Sequence, residues 1–107
     1  MSIATEISVE ELKQLMDAKA DFALLDVREP HEYQICNLGA PLIPLGQFSA
    51  HISELDPEKH YVVHCRSGKR SAEACGLLRA MGFQKVQNLT GGILAWADRI
   101  DTSMQKY

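Results

Sequence analysis

Tyr61-Val62-Val63-His64 runs directly into Cys65-Arg66-Ser67-Gly68-Lys69-Arg70-Ser71, and this junction constrains the chain more than any other stretch. Tyr61 to Val63 is a β-branched and aromatic run, which predicts a buried strand. From Ser71 to Met81, apolar residues fall at Ala74, Leu77, Leu78 and Met81, the spacing of an amphipathic helix. A cysteine therefore sits at the carboxyl end of a strand, in a short loop that opens a helix. Backbone N–H groups of such a loop can converge on sulfur, and the helix N-terminus adds positive potential. Arg66, Lys69 and Arg70 place three formal positive charges within five residues of it. Each effect favours thiolate, so Cys65 is expected to be more acidic than a free cysteine. A cysteine that merely fills a core gains nothing from Gly68 or from three cations. The same loop attracts an anion.

Around this junction, strand-like and helix-like segments alternate. Ser8-Val9-Glu10-Glu11 is a capping box that opens a helix carrying Leu12, Leu15 and Met16 on one face. Phe22 to Val27 is apolar apart from Asp26, as a strand covered on both faces would be. A carboxylate there must be paired or hydrogen-bonded; Arg28 projects to the same side if the strand continues, but the charges could equally serve loop N–H groups. Glu29-Pro30-His31-Glu32-Tyr33 reads as a short helix with proline in its first turn. Leu42-Ile43 predicts a brief strand, Phe48 to Leu55 a helix, and Lys85 to Asn88 a last strand. Thr90 is placed to cap a helix through Ile93, Leu94, Trp96 and Ala97, and residues 100–107 read as a loosely ordered tail. This alternation predicts an α/β fold with a parallel sheet and helices on both faces. Ligands of such sheets bind beyond the carboxyl ends of the strands, where Cys65 lies.

Composition narrows the function. At 107 residues the chain suits one domain, and its net charge of −3 argues against nucleic-acid or membrane-surface binding. Residues 1–60 hold 4 Lys/Arg and 11 Asp/Glu, whereas residues 61–107 hold 7 and 3, so the basic surplus lies in the half with Cys65. Three cysteines without paired spacing imply no disulfide framework. No apolar leader or bilayer-length stretch is visible, which makes a reducing cytoplasm the expected compartment. His31, His51, His60 and His64 lack metal-ligand spacing, so neither metal nor cofactor is expected. His64 should leave the strand on the face opposite Cys65, as a packed or exposed residue. Cys75 reads as a packed helix residue, while the loop at Cys36 leaves a redox role open.

The spacing from Cys65 to Arg70 is Cys-x4-Arg, one residue shorter than the Cys-x5-Arg loop of cysteine phosphatases. A tighter loop seats the cysteine sulfur plus one further sulfur better than a tetrahedral phosphoryl group.

Four blocks in order give the chain a family resemblance. They are Leu24-Leu25-Asp26-Val27-Arg28-Glu29-Pro30-His31-Glu32-Tyr33, Ile43-Pro44-Leu45, Cys65-Arg66-Ser67-Gly68-Lys69-Arg70-Ser71 and Gly91-Gly92-Ile93-Leu94-Ala95-Trp96. Together they resemble the single-domain rhodaneses, thiosulfate sulfurtransferases, over roughly Ser8 to Arg99. The resemblance implies one rhodanese-like domain (residues 1–107, core about 8–99) with a five-stranded parallel sheet. It implies a catalytic Cys65 that cycles through a persulfide, with the donor bound by Arg66, Ser67, Gly68, Lys69, Arg70 and Ser71. Asp26 and Arg28 would form a structural or loop-supporting pair. Ile35-Cys36-Asn37-Leu38-Gly39-Ala40 departs from the common Gly-His-Ile-Pro-Gly-Ala. It is similar instead to rhodanese modules of adenylating enzymes that load sulfur on ubiquitin-like carriers for molybdopterin or thiamine. Thiosulfate or a persulfide protein is thus the implied donor, and a thiophilic acceptor, such as a sulfur carrier or a tRNA-thiolation relay, the implied partner. Two other classes remain: a non-catalytic anion-binding or regulatory module, and a phosphatase or arsenate reductase on the same fold.

Overall fold

The computed structural model describes residues 3–107. Its elements in order are β1 (Glu6–Ile7), α1 (Val9–Asp17), β2 (Ala23–Asp26), α2 (Pro30–Ile35), α3 (Leu45–His51), a 3-10 turn (Ile52–Glu54), β3 (Tyr61–His64), α4 (Lys69–Ala80), β4 (Val86–Leu89) and α5 (Gly92–Arg99). The four strands form one parallel sheet in the order β1-β4-β3-β2. The described residues form four strands where the resemblance implied five, and the strands read from the residues themselves are corrected in two places. Leu42-Ile43 contributes a single parallel bridge to Asp26 rather than a strand. Pro41 and Pro44 flank it, and neither has an N–H to extend the ladder. Conversely, β1 was not anticipated, because two residues before a capping box carry no periodicity to read.

Side-chain alternation along β3 divides the core in two. Tyr61, Val63 and Cys65 join Leu25, Phe48, Ala74, Cys75, Leu78 and Val86 on the face covered by α3 and α4. Val62 joins Leu12, Leu89 and Trp96 on the face covered by α1 and α5. This is the layered arrangement expected of a parallel sheet buried on both sides. The capping box of α1 is present, with Ser8 N donating to Glu11 Oε1 (2.9 Å) and Glu11 N to Ser8 Oγ (3.1 Å). On α4 the buried stripe is Ala74, Cys75 and Leu78; Leu77 and Met81, assigned to it from sequence, are 36% and 63% exposed. Residues 100–107, read as loose, also pack: Ile100 and Met104 rest on the α1–α5 side of the core, and Tyr107 reaches into the interior.

Asp26 and His64 are register partners at the ends of β2 and β3, and both are fully buried. His64 Nε2 lies 3.6 Å from Asp26 Oδ2, and among the described residues neither ring nitrogen has a hydrogen-bond partner. Burial pushes the imidazole pKa down to about 4; Asp26 opposes that shift and Arg28 reinforces it. Since an unfolded chain protonates histidine near 6.5, the unfolded state binds more protons between the two values. The stability His64 supplies in its neutral form is therefore lost as pH falls from about 6.5 towards 4. In urea titrations, lowering pH from 7.5 to 5 should cost the wild type about 2 kcal/mol more than His64→Phe. An equal loss in both would assign the acid sensitivity elsewhere.

Candidate active site

The site grows out of the end of β3. Beyond His64 the backbone carbonyls of Cys65 and Arg66 accept hydrogen bonds from Ile93 N (2.9 Å) and Leu94 N (3.1 Å), the first free N–H groups of α5. With these carbonyls turned away, the next amides face inward. Gly68 N donates to Cys65 Sγ at 3.1 Å, and Ser71 N and Ser71 Oγ lie 3.4 Å from it. Gly68 turns the chain at φ 106°, a conformation other residues adopt only with strain, and caps α4.

The close approach of α5 explains the Gly91-Gly92 pair. Gly91 and Gly92 have φ of 80° and 60°, and a Cβ at Gly92 would lie 2.4 Å from the Arg66 carbonyl oxygen. Gly91, not the predicted Thr90, is the N-cap; Thr90 Oγ1 instead donates to Glu6 Oε1 (2.8 Å).

Cys65 is 1% exposed, at the floor of the loop. Burial alone would raise its pKa. The hydrogen bonds of Ser71, through hydroxyl and amide, and those of the Gly68 and Ser67 amides outweigh burial and hold the thiol below its ordinary value. Cys75, one face position along on α4, has burial without such donors, and its thiol is pushed up to about 12. The contrast separates a poised sulfur from a packing one. All three cysteines are free.

The basic residues divide by role. Arg70 forms a two-pronged pair with Glu32 (Nη1–Oε1 2.6 Å, Nη2–Oε2 2.9 Å). This holds the Glu32 carboxyl down at about 2 and raises Arg70. Arg66 stacks its guanidinium 5.0 Å from the Tyr107 ring centroid and donates through Nε to the Tyr107 main-chain oxygen (2.8 Å). Lys69 is exposed and joins none of the ion pairs among the described residues. Of the three cations the sequence placed around the substrate, two are thus committed to protein partners.

Asp26 and Arg28 form a buried pair, as the family resemblance implied. Arg28 Nε and Nη2 grip both Asp26 oxygens (2.7–3.1 Å), and Nη2 also donates to the Cys36 carbonyl (2.9 Å). Nη1 donates to the Glu32 carbonyl (3.3 Å) and to Tyr107 Oη (3.0 Å). Tyr107 Oη in turn donates to Glu32 Oε2 (2.8 Å). Glu32, Tyr107 and Asn88 were not singled out from sequence. Glu32 looked like one more charge on a short helix, and nothing local marks Tyr107, 75 positions away, as its neighbour, or Asn88, 17 positions away, as that of Ser71.

Residues 8–99 match the model of the rhodanese-like domain family. The chain belongs to the rhodanese-like family. It is 36% identical to a sulfurtransferase of Allochromatium vinosum, with 89% of this chain matched to 90% of that protein. It is 39% identical to the chloroplastic rhodanese-like/PpiC domain-containing protein 12 of Arabidopsis thaliana over 95% of its own length, but spans only 37% of that protein. The adenylyltransferase and sulfurtransferase MOCS3 of the same plant is 32% identical over 96% of the chain, which spans 26% of it. A solved rhodanese-like domain protein from Staphylococcus aureus superposes with a TM-score of 0.81 at 26% identity, covering 97% and 99% of the two chains. The rhodanese-like fold and the alternating parallel sheet read from sequence are thereby shown. Among the described residues no helix is long and apolar enough to cross a membrane.

Within this rhodanese-like site, Gly92 at the start of α5 is the glycine with the tightest surroundings. Gly92→Ala should cost about 2–5 kcal/mol, combining a left-handed backbone with a backbone clash. It should also slow alkylation of Cys65 at neutral pH. Gly76→Ala is the control, since open space surrounds that helical glycine and the change should be neutral or stabilising. Urea unfolding of the two variants checks both; an undamaged Gly92→Ala would remove the α5 contact from the account.

Proposed function

We propose that the protein is a sulfurtransferase that carries sulfane sulfur as a persulfide on Cys65. The observation that carries this reading is a buried thiol with loop amides and a hydroxyl converging on it, its acidity raised despite burial. The near end-to-end match to a protein named sulfurtransferase supports it.

With thiosulfate as donor, the Cys65 thiolate attacks the outer sulfur. The new Cys65 S–S bond forms as the old S–S bond breaks, and its electron pair leaves with sulfite. The negative charge then sits on the outer sulfur, within reach of the loop N–H groups of Arg66 to Ser71. A thiophilic acceptor next attacks that sulfur, and the electron pair returns to Cys65 as thiolate. This is covalent catalysis that divides one transfer into two displacements. The loop donors stabilise charge before and after each step. Lys69 offers the uncommitted positive charge for the departing sulfite, while Arg70 and Arg66 shape the loop through Glu32 and Tyr107. A sulfur carrier protein is the proposed acceptor and a reducing compartment the proposed setting; the likeness to a protein named both adenylyltransferase and sulfurtransferase fits the former.

A thiosulfate-to-cyanide assay tests the reading. Wild type should release thiocyanate, and Cys65→Ser should release none while remaining folded. Lys69→Ala should raise the thiosulfate KM about threefold to tenfold, the scale of one partly exposed charge contact, with kcat changed less. Activity in Cys65→Ser would overturn the assignment, and an unchanged KM would remove Lys69 from donor binding. Phosphate-ester hydrolysis without thiocyanate formation would favour the phosphatase alternative.

A further inference from the structure

The Ser71 hydroxyl has one proton and two acceptors. Ser71 Oγ lies 3.4 Å from Cys65 Sγ on one side and 2.5 Å from Asn88 Oδ1 on the other. Asn88 stands on β4, 5% exposed, and Ser71 is fully buried, so water does not compete for either group. The orientation of the Asn88 amide is set by its surroundings. Nδ2 donates to the Gly68 carbonyl (3.0 Å) and faces Glu6 Oε1 (3.3 Å) on β1. Both are oxygen acceptors, and turning the amide over would set its carbonyl against them. Oδ1 is thus fixed towards Ser71. The same side chain ties β1, the Gly68 turn and the first turn of α4 together at the sulfur.

We infer that Asn88 is a positioning residue for Cys65: its carboxamide oxygen accepts the Ser71 hydroxyl hydrogen bond while Sγ is uncharged and loses it to the sulfur when Sγ is a thiolate. The inference rests on the sulfurtransferase reading for its place in the cycle. Sγ is uncharged in the thiol and also in the persulfide, where the charge has moved to the outer sulfur. In those states the hydroxyl donates to Asn88 and presents lone pairs to Sγ. In the thiolate state it turns to the sulfur, and a buried carbonyl loses its donor. Asn88 therefore offsets part of the thiolate stabilisation that the loop provides and favours the loaded state over the empty one. A donor fixed permanently on Sγ would do the opposite.

The pH dependence of Cys65 alkylation by iodoacetamide tests this without requiring sulfur transfer, so failure of the sulfurtransferase reading would leave the result interpretable. Asn88→Leu fills the space with neither donor nor acceptor and leaves the hydroxyl to the sulfur. Its alkylation at pH 6 should be about threefold to tenfold faster than wild type, the size of one hydrogen bond to a charged group, moderated by the lower nucleophilicity of a more acidic thiol. In a Ser71→Ala background the same Asn88→Leu change should have no effect, because the proton in dispute is gone. Arg70 and Cys75 on α4 and Glu6 on β1 surround the pair and are identical in all four proteins, so their charges cancel in the cycle. Should Asn88→Leu fail to fold, Asn88→Val, which suits a strand, gives the same comparison. An unchanged or slower rate, or an equal acceleration with and without the Ser71 hydroxyl, would reduce Asn88 to a structural residue and overturn the proposal.

Discussion

A guanidinium buried with no exposure to water holds this protein's functional end together. Arg28 sits at the carboxyl edge of the sheet and makes hydrogen bonds through all three of its nitrogens, to Asp26, Glu32, Cys36 and Tyr107. Removing either member of such a pair leaves an uncompensated buried charge, at about 3–5 kcal/mol. Its partners come from β2, from both ends of α2 and from the last residue of the chain. Glu32 extends the network to Arg70 on α4, so one continuous set of hydrogen bonds, bridged by the Tyr107 hydroxyl, runs from the end of β2 to the loop that surrounds Cys65. The opposite charges of Asp26 and Arg28 also oppose each other at His64, which leaves burial to keep that imidazole neutral.

The sulfur is governed by a second device, built mostly from backbone and completed by the Ser71 hydroxyl. Two carbonyls are taken by α5 and the amides that follow are given to Cys65, so helix docking sets the course of the loop. This explains how a thiol can be buried and acidic at once. Desolvation penalises the thiolate, but donors fixed in advance need no reorganisation to meet the charge. The surrounding cations act at longer range, and Arg66 and Arg70 chiefly brace the loop from outside.

Much of this was legible in the sequence. The strand–cysteine–helix junction, the Ser8 capping box and the Asp26–Arg28 pair each follow from a local rule, and the structure contains each of them. What escaped had non-local causes. β1 exists only because β4 offers it a ladder, and Leu42 fails to become a strand because of prolines three residues apart. Leu77 and Met81 match a helical stripe but lie where no partner covers them. The commitment of Arg70 to Glu32, of Arg66 to Tyr107 and of Ser71 to Asn88 joins residues 38, 41 and 17 positions apart. No local pattern encodes such pairs.

Intact mass measured before and after thiosulfate, and again after cyanide, tests the central claim most directly. The account predicts a gain of one sulfur atom, located on Cys65 by peptide mapping and removed by cyanide as thiocyanate. No gain on a protein whose Cys65 is shown to be reduced, with thiosulfate or with a persulfide donor, would contradict it.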